Sequence, residues 1–431
     1  MKRLTLQPDG EFDAGVARAI QAEKLRAHAD WCMRHSPFYQ RRFREAGIAS
    51  GTLGLDTLEA LPVTTKDDFA GHNEDFLAAP PEAVVDIVLS SGTTGKPVQV
   101  MYTERDLQRL AYNEELSFAA CGVTARDVAM LTCTMDRCFV AGLAYCMGLR
   151  RLGAAVIRNG HGTLASHRSI LKSIRPTVLV GVPSFLRKLG VYLREHGEDP
   201  AAGPVRKLVC IGEPVRGPDL APLKLGADLK SLWNADVYST YASSECVTTF
   251  CDCVAQAGGH LHPELAVIEI LDKAGKRVPA GVPGEVVLTP LDVEGMPLLR
   301  FATGDISFLI EEPCSCGRTA PRLGPILGRK QQLMKIRGTS VYPQAVFNAL
   351  DELAGVGDYY LELRTNAERS EELVVHLAET ARLPSLEMIA EHLQAWIRVT
   401  PIISVDPEDK VRHHLYSPES RKPVRVVDRR A

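Results

Sequence analysis

The sequence lacks several features that would place it in other classes of protein. No run of 18 consecutive apolar residues occurs, and the first residues are too polar for a secretory signal peptide. Lys and Arg total 50 against 53 Asp and Glu, a balance that disfavours a protein devoted to nucleic acid or anionic membranes. We therefore predict a globular, cytoplasmic protein without nucleic-acid or membrane partners.

Disulfide bonds are also not expected. A chain of 431 residues buries a large core without them, and a cytoplasmic location keeps thiols reduced. Most of the 11 cysteines lie in apolar stretches, where a free cysteine acts as a small hydrophobic residue. Four of them are treated separately below.

The hydrophobic pattern predicts an α/β fold with more than one domain. Helical spacing marks the first 75 residues or so, and from about residue 126 short β-rich runs alternate with helical stretches. That alternation is typical of a parallel sheet with helices on both faces. A strand–turn–strand pattern over 263–310 predicts a small β unit. From about residue 330 a mixed helix and strand pattern predicts a small α+β domain.

The most informative segment follows a predicted strand. It consists of Ser90, Ser91, Gly92, Thr93, Thr94, Gly95, Lys96 and Pro97. Backbone N–H groups, hydroxyls and an ammonium group in one short loop can all face phosphate oxygens. A Walker A loop is excluded, because it would need Gly at position 90 and Ser or Thr at position 97. The alternative is an exposed turn, which a shorter Gly/Thr motif would favour.

A second signal comes from two C-x-C pairs and two histidines. They are Cys251, Cys253, His260, His262, Cys314 and Cys316. Thiolates and imidazoles are the usual ligands of a tetrahedral zinc ion, although this spacing is not that of a standard zinc finger. Structural zinc is the favoured interpretation, and free thiols or a catalytic or regulatory metal are the alternatives.

The loop at 90–97 resembles the phosphate loop of the adenylate-forming superfamily of acyl-CoA synthetases. Other segments resemble that superfamily's phenylacetate–CoA ligase branch, in the same order and over nearly the whole chain. They lie at 61–66, 139–143, 212–214, 241–245, 300–305, 328–329 and 421–426. The resemblance implies a ligase that uses ATP and Mg²⁺ to form an acyl-adenylate and then transfers the acyl group to coenzyme A. It also implies an aromatic or arylacetic acid as substrate.

The resemblance also assigns domains and residues. It implies a large ATP- and acid-binding domain over 1–328, and a small mobile domain over 329–431 that is joined by a hinge. Lys422 would bridge carboxylate and phosphate oxygens, Glu245 would hold Mg²⁺ and Asp305 would accept the ribose hydroxyls. The implied ATP contacts are Ser90, Ser91, Gly92, Thr93, Thr94, Gly95, Lys96, Gly212, Glu213, Pro214, Tyr241, Asp305 and Arg329.

Two further sets follow from the resemblance. Phe139 and Ala242 would line the acyl pocket, where Ala242 stands in place of the family glycine. The family's zinc-ligand pattern selects Cys253, His260, Cys314 and Cys316, and leaves Cys251 and His262 as spares. Relatives are often homodimers.

Departures from the family pattern keep other functions open. Lys330, Gln331 and Gln332 stand where relatives have an acid pair that serves as the hinge. The acceptor could therefore be an amine, a carrier protein or a phenol-like cofactor rather than coenzyme A. A zinc-stabilised nucleotide-binding or RNA-binding protein is a third hypothesis. It is disfavoured by the near-neutral charge and the lack of basic–aromatic clusters, and because a mere binder has no use for Lys422, Glu245 and Asp305 together.

Overall fold

The computed structural model describes residues 14–49, 51–90, 98–336, 339–366, 371–416 and 423–430. These residues fall into two compact units, and the division lies between Ile326 and Leu327. The assignment of substrate binding to residues 1–328 and of a mobile role to 329–431 stays a prediction. No helix among the described residues is long and apolar enough to cross a membrane.

The larger unit combines helices with several sheets. Its helices are α1 (Ala14–His35), α2 (Pro37–Glu45), α3 (Lys66–Gly71), α4 (Glu104–Ala120), α5 (Ala141–Leu152), α6 (Leu164–Ser173), α7 (Pro183–Glu195) and α8 (Lys224–Trp233). Its strands are β1 (Val84–Ser90), β2 (Val98–Thr103), β3 (Val128–Leu131), β4 (Ala155–Arg158), β5 (Val178–Gly181), β6 (Lys207–Ile211), β7 (Asp236–Ser243), β8 (Thr248–Cys251), β9 (Gly259–His260), β10 (Ala266–Leu271), β11 (Gly284–Pro290), β12 (Phe301–Ser307), β13 (Leu309–Ile310) and β14 (Arg322–Leu323).

The central sheet of this unit has the strand order β4-β3-β5-β6-β7-β8. Its first five strands are parallel, and β8 runs antiparallel beside β7. In β5, Val178 and Val180 pack with side chains of α4 and α5, whereas Leu179 packs with side chains of α6, α7 and α8. Successive residues of a strand point to opposite faces, so continuous apolar strands are needed when helices cover both faces. This is the predicted α/β class.

Antiparallel sheets complete the larger unit. β1 pairs with β2, β10 and β12 pair on either side of β11, and β14 pairs with β13 and β9. The predicted strand–turn–strand segment is the β10–β11 hairpin, and the next strand, β12, contains the T-G-D motif.

The smaller unit is an α+β structure, as its sequence pattern predicts. Its elements are β15 (Gly328–Arg329), β16 (Met334–Ile336), β17 (Thr339–Val341), α9 (Pro343–Glu352), β18 (Tyr359–Thr365), β19 (Glu371–Ala378), α10 (Leu386–Ile397), β20 (Ile402–Asp406), α11 (Glu408–Leu415) and β21 (Val426–Arg429). Its main sheet has the order β20-β19-β18-β21. Helices α9 and α10 cover one face of this sheet, and α11 covers the other.

Candidate functional site

Two of the predicted ATP-binding segments leave the central sheet at the same edge. β6 ends at Ile211, which is paired in parallel with Thr240 of β7. Gly212, Glu213 and Pro214 follow β6 directly, and Gly212 turns the chain with a φ of 76°. Tyr241 comes immediately after Thr240. Ligands of open α/β sheets bind outside the carboxyl ends of the strands, so these two segments lie where such a ligand is expected.

The loop after β6 is fixed to α7. The backbone N–H and the hydroxyl of Ser184 each donate to an oxygen of the Glu213 carboxylate, both at 2.9 Å. Ser184 lies in the first turn of α7, where a negative charge is stabilised by the unpaired N–H groups of the helix. The Glu213 side chain therefore anchors the loop.

Tyr241 and Asp305 meet although they lie 64 residues apart in the sequence. The Tyr241 hydroxyl donates to Oδ2 of Asp305 at 2.8 Å. Desolvation, with the charge of Asp305 as a second cause, raises the pKa of Tyr241, so the phenol stays protonated. Asp305 is buried, and its backbone N–H donates to the Thr303 hydroxyl. The predicted ribose acceptor thus has a fixed position and an oriented donor.

Glu245 lies on a turn between β7 and β8 that other side chains hold in place. The Ser243 hydroxyl donates to Glu245 Oε2 at 2.8 Å, and the Tyr102 hydroxyl donates to the Ser244 carbonyl at 2.8 Å. Val247 has a φ of 48°, and its carbonyl accepts from the buried guanidinium of Arg109. Residues of β2 and α4 therefore hold the backbone of this turn, and Ser243 orients the Glu245 carboxylate.

Arg109 is a residue that sequence reasoning missed. Its guanidinium also donates to the carbonyls of Leu265 and Leu291, and burial lowers its pKa to about 10. It links α4 to three separate loops of the larger unit. The signal in the sequence is a single arginine on the buried face of a helix, which indicates a buried partner but not which one.

The predicted acyl-pocket residues lie near the ends of β1, β3 and β7. Phe139 is half-buried in the loop after β3, and the carbonyl of its neighbour Cys138 accepts from the Leu89 backbone N–H at 2.9 Å. Leu89 precedes Ser90, the last residue of β1 and the first of the predicted phosphate loop. Ala242 is exposed within β7. The role of both pocket residues stays a prediction.

Some predicted residues cannot be placed at this site. Ser91, Gly92, Thr93, Thr94, Gly95, Lys96 and Lys422 lie outside the described residues. Arg329 is exposed in β15 of the smaller unit. Their roles rest on the sequence motifs alone.

The predicted zinc ligands form one cluster. Single ligand atoms of Cys253, His260, Cys314 and Cys316 all lie within 4.8 Å of one another. Cys253 Sγ is 3.6 Å from Cys314 Sγ, and Cys316 Sγ is 3.5 Å from His260 Nε2. Burial lowers the pKa of His260 to about 3, which keeps the imidazole neutral as a metal ligand must be. Three sulfur atoms and one nitrogen are a donor set that fits a closed tetrahedral zinc site.

The two spare residues are separate from this cluster. Cys251 Sγ lies 3.2 Å from Cys121 Sγ and 3.1 Å from the Thr240 hydroxyl, on the other side of Asp252 in the chain. His262 is not among the clustered ligands. Nδ1 of His260 is buried and has no hydrogen-bond partner among the described residues, whereas Nε2 of the same ring faces Cys316 Sγ in the cluster.

Comparisons with known proteins identify the family of this chain. The family model described as AMP-binding enzyme matches residues 34–290. A phenylacetate–coenzyme A ligase of Thermus thermophilus is 34% identical over 373 residues, which is 84% of this chain and 82% of the relative. A phenylacetate–coenzyme A ligase of Pseudomonas putida is 27% identical over 398 residues, which is 90% of this chain and 85% of the relative.

A solved structure supports the fold. The crystal structure of a 2-hydroxyisobutyryl-CoA ligase in the postadenylation state has a TM-score of 0.84 and 22% identity, and the match covers 97% of this chain and 91% of that one. The fold predicted from the motifs is therefore confirmed. The chain belongs to the AMP-binding enzyme family and, within it, to the adenylate-forming ligases that resemble phenylacetate–coenzyme A ligases.

Proposed function

We propose that this protein activates an aromatic carboxylic acid with ATP and transfers the acyl group to coenzyme A. A carboxylate oxygen attacks the α-phosphorus of ATP, and pyrophosphate leaves. The thiolate of coenzyme A then attacks the acyl carbon and AMP leaves with the bonding electron pair, while the thiol proton passes to solvent. The observation that supports this best is the Tyr241–Asp305 contact beside the loop after β6, at the carboxyl edge of the sheet.

The described residues have distinct tasks in this proposal. Asp305 accepts hydrogen bonds from the ribose hydroxyls, and Tyr241 keeps one carboxylate oxygen oriented. Glu245 would hold Mg²⁺, which would neutralise charge on the ATP phosphates, since Mg²⁺ is usually bound by one or two carboxylates together with phosphate oxygens. The loop over 212–214 lies against the nucleotide, with its position fixed by the contact between Glu213 and Ser184.

Positive charge in the adenylation step is assigned to residues identified by motif. Lys422 would neutralise charge that develops between the carboxylate and the α-phosphate, and Lys96 with the neighbouring hydroxyls would bind the leaving pyrophosphate. Arg329 contacts the nucleotide. A preorganised cation stabilises the transition state because its orientation costs little during the reaction.

The substrate class is proposed from the curated relatives. The two ligases described above are named for phenylacetate, and both match most of this chain. Phe139 is half-buried beside the end of β1, and Ala242 places a methyl group where the family has a glycine. An arylacetic acid is therefore proposed as the substrate class.

The cluster of Cys253, His260, Cys314 and Cys316 is proposed as a structural zinc site. Four protein ligands close a tetrahedral shell and leave no open position for a substrate, unlike the three ligands of a catalytic zinc site. The metal would fasten the loops before β9 and β14 to each other. A cytoplasmic location and a homodimeric state stay predictions from the sequence.

A second acceptor deserves a test because of one local difference. Lys330, Gln331 and Gln332 form a single 3₁₀ turn where relatives have an acid pair. If this turn alters the step that admits coenzyme A, then the acyl-adenylate would pass to an amine, a carrier protein or another nucleophile.

The acceptor is tested by measuring AMP release with a panel of aromatic and aliphatic acids, with and without coenzyme A. We expect an aromatic acid to give rapid AMP release only with coenzyme A, together with a thioester product of the expected mass. Acid-dependent release of pyrophosphate that coenzyme A does not change would instead support the second acceptor. Absence of both products with every acid would count against the proposed function.

A further inference from the structure

A buried ion pair joins the loop after β6 to the segment that contains two of the proposed zinc ligands. Arg216 Nε lies 3.0 Å from Oδ2 of Asp252, and both side chains are almost completely shielded from solvent, with exposures of 6% and 2%. Neither residue was singled out by the motifs. Breaking a buried pair by removing one partner is costly, because the other charge stays buried.

Several residues hold the Asp252 carboxylate, which lies at the start of the metal-binding segment, here residues 252–260. It directly precedes Cys253, and its Oδ1 accepts from the backbone N–H of Gly258, two residues before His260. Its Oδ2 also accepts from the backbone N–H of Ser239 in β7 at 2.9 Å. The orientation of this carboxylate therefore depends on the backbone between Cys253 and His260, which a bound metal would fix at both ends.

Arg216, the partner of Asp252, lies in the loop after β6 that is proposed to contact the nucleotide. It lies four residues after Gly212 in the same loop, and its guanidinium donates to the Val237 carbonyl of β7 at 2.7 Å. The same guanidinium donates at 2.7 Å to the side-chain oxygen of Gln256, which also lies between Cys253 and His260. Arg216 is thus held by the metal-binding segment through two separate side chains.

The loop between Gly212 and Arg216 is short and anchored along its length. Glu213 is bonded to Ser184 of α7, and the carbonyl of Val215 approaches Gly226 of α8 so closely that a side chain there would clash. A loop anchored at Glu213 and Val215 keeps Gly212 and Arg216 in a fixed position relative to each other. The Arg216–Asp252 pair therefore lies between the proposed metal cluster and the loop that is proposed to contact the nucleotide.

We infer that the Arg216–Asp252 pair couples metal occupancy of the Cys253, His260, Cys314 and Cys316 cluster to the affinity for the adenine nucleotide. This inference rests on the proposed function, because it takes the loop over 212–214 as part of the nucleotide site. Metal binding orders the backbone that orients Asp252, and Asp252 then holds Arg216 and its loop in the binding position. Coupling between two binding sites is reciprocal, so the nucleotide must strengthen metal binding by the same factor.

The test measures both directions of this coupling. The affinity of AMP is measured by calorimetry on zinc-loaded and metal-depleted protein, and the affinity of zinc is measured against a competing chelator with and without saturating AMP. AMP is the probe because the polyphosphate of ATP binds zinc itself. In the wild type we expect metal depletion to weaken AMP binding by about 5-fold or more, and AMP to strengthen zinc binding equally.

Two variants of the pair and one control isolate its role. R216K keeps the positive charge but loses the fork of donors that reaches Asp252, Gln256 and Val237 together. We expect R216K to bind one zinc per chain, with the ratio of AMP affinities between loaded and depleted protein close to one. D252N should behave in the same way. R168K changes Arg168 of α6, which is paired with Glu198, and it should retain the wild-type ratio of AMP affinities.

The outcomes separate this inference from the proposals on which it rests. Zinc and AMP that bind the wild type independently of each other would overturn the inference alone, as would an R216K protein with unchanged coupling. Wild-type protein that binds no zinc would overturn it together with the proposed metal site, and protein that binds no AMP would overturn it together with the proposed function. Should depleted or variant protein unfold, the effect of AMP on zinc release from the wild-type holoprotein still decides whether the two sites are coupled, and its absence overturns the inference.

Discussion

The metal cluster and the nucleotide edge of the sheet are built in different ways. At the nucleotide edge the polar side chains already have protein partners, as Tyr241 has with Asp305 and Ser243 has with Glu245. In the proposed metal cluster the four ligand atoms lie close to one another, Cys253 and Cys316 each accept one further hydrogen bond at Sγ, and Nδ1 of His260 has no partner among the described residues. The polar groups of the nucleotide edge are therefore oriented without a ligand, whereas we expect the cluster of Cys253, His260, Cys314 and Cys316 to depend on its proposed metal ion for full stability.

This difference predicts which changes disturb catalysis and which disturb the fold. Changes at the nucleotide edge should alter binding or rate in a protein of nearly normal stability. Changes in the metal cluster should first remove the metal and lower stability.

The largest effect on rate is expected from K422A. Lys422 is assigned to charge stabilisation in the adenylation step, so its loss should slow acyl-adenylate formation by about 100-fold or more. Thioester formation from supplied acyl-adenylate should continue. Acid-dependent pyrophosphate release and thioester formation are measured separately, with K410A on α11 as a matched lysine control. An equal loss in both half-reactions would contradict the assigned role.

The next largest effect is expected from C314S, and it should appear in stability. We expect zinc to fall from about one ion per chain to almost none, and the unfolding temperature to drop by about 3 °C or more. Metal analysis and thermal unfolding measure the two quantities. C138S changes an exposed thiol outside the cluster and should leave both unchanged. Zinc retained at full occupancy in C314S would remove Cys314 from the ligand set.

A change at Asp305 should weaken nucleotide binding without loss of zinc. A hydrogen bond to a charged group contributes about 1.5–3 kcal/mol, so D305A should raise the dissociation constant of AMP by about 10- to 100-fold. The ribose assignment is sharpened with 2′-deoxy-AMP. The wild type should prefer AMP to 2′-deoxy-AMP, and D305A should distinguish them much less. An unchanged preference in D305A would place the ribose elsewhere.

The smallest effect is expected from Y241F. This variant keeps the ring stacked near Phe250 and removes only the hydroxyl that orients Asp305. We expect AMP binding to weaken by about 3- to 10-fold, which is less than in D305A, because Asp305 can still accept the ribose hydroxyls. Calorimetric titration of both variants with AMP, under the same conditions, gives the order of the two dissociation constants. A larger loss in Y241F than in D305A would reverse the roles assigned to the two residues.

Much of the fold could be predicted from the sequence because its signals are local. The apolar runs around Leu179 and Val209 predicted parallel strands, and the spacing within 183–197 predicted α7. The pairing of β1 with β2 and the helix α11 were not predicted. β1 is followed by the Gly/Ser/Thr-rich loop, whose composition indicates a phosphate-binding loop and not a β-hairpin turn. α11 is a short helix with few apolar residues, so its hydrophobic pattern is weak.

Motifs named residues that the structure brings together, and they missed residues whose contacts are long-range. Tyr241 and Asp305, and the four clustered candidate metal ligands, were named from short motifs within a known family pattern. Arg216 and Asp252 were not, because their partnership spans 36 residues and depends on the adjacency of β6 and β7. A local sequence pattern does not predict which buried carboxylate will pair with which buried guanidinium.

The central claim is that this chain forms acyl-adenylates from aromatic acids, and acid-dependent exchange of pyrophosphate into ATP tests it most directly. The exchange needs only the first half-reaction, so it does not depend on the acceptor. We predict exchange that requires Mg²⁺, that phenylacetate or a related aromatic acid stimulates at least about 10-fold over aliphatic acids, and that K422A abolishes. Exchange that no acid stimulates, in protein shown to bind AMP, would contradict the account.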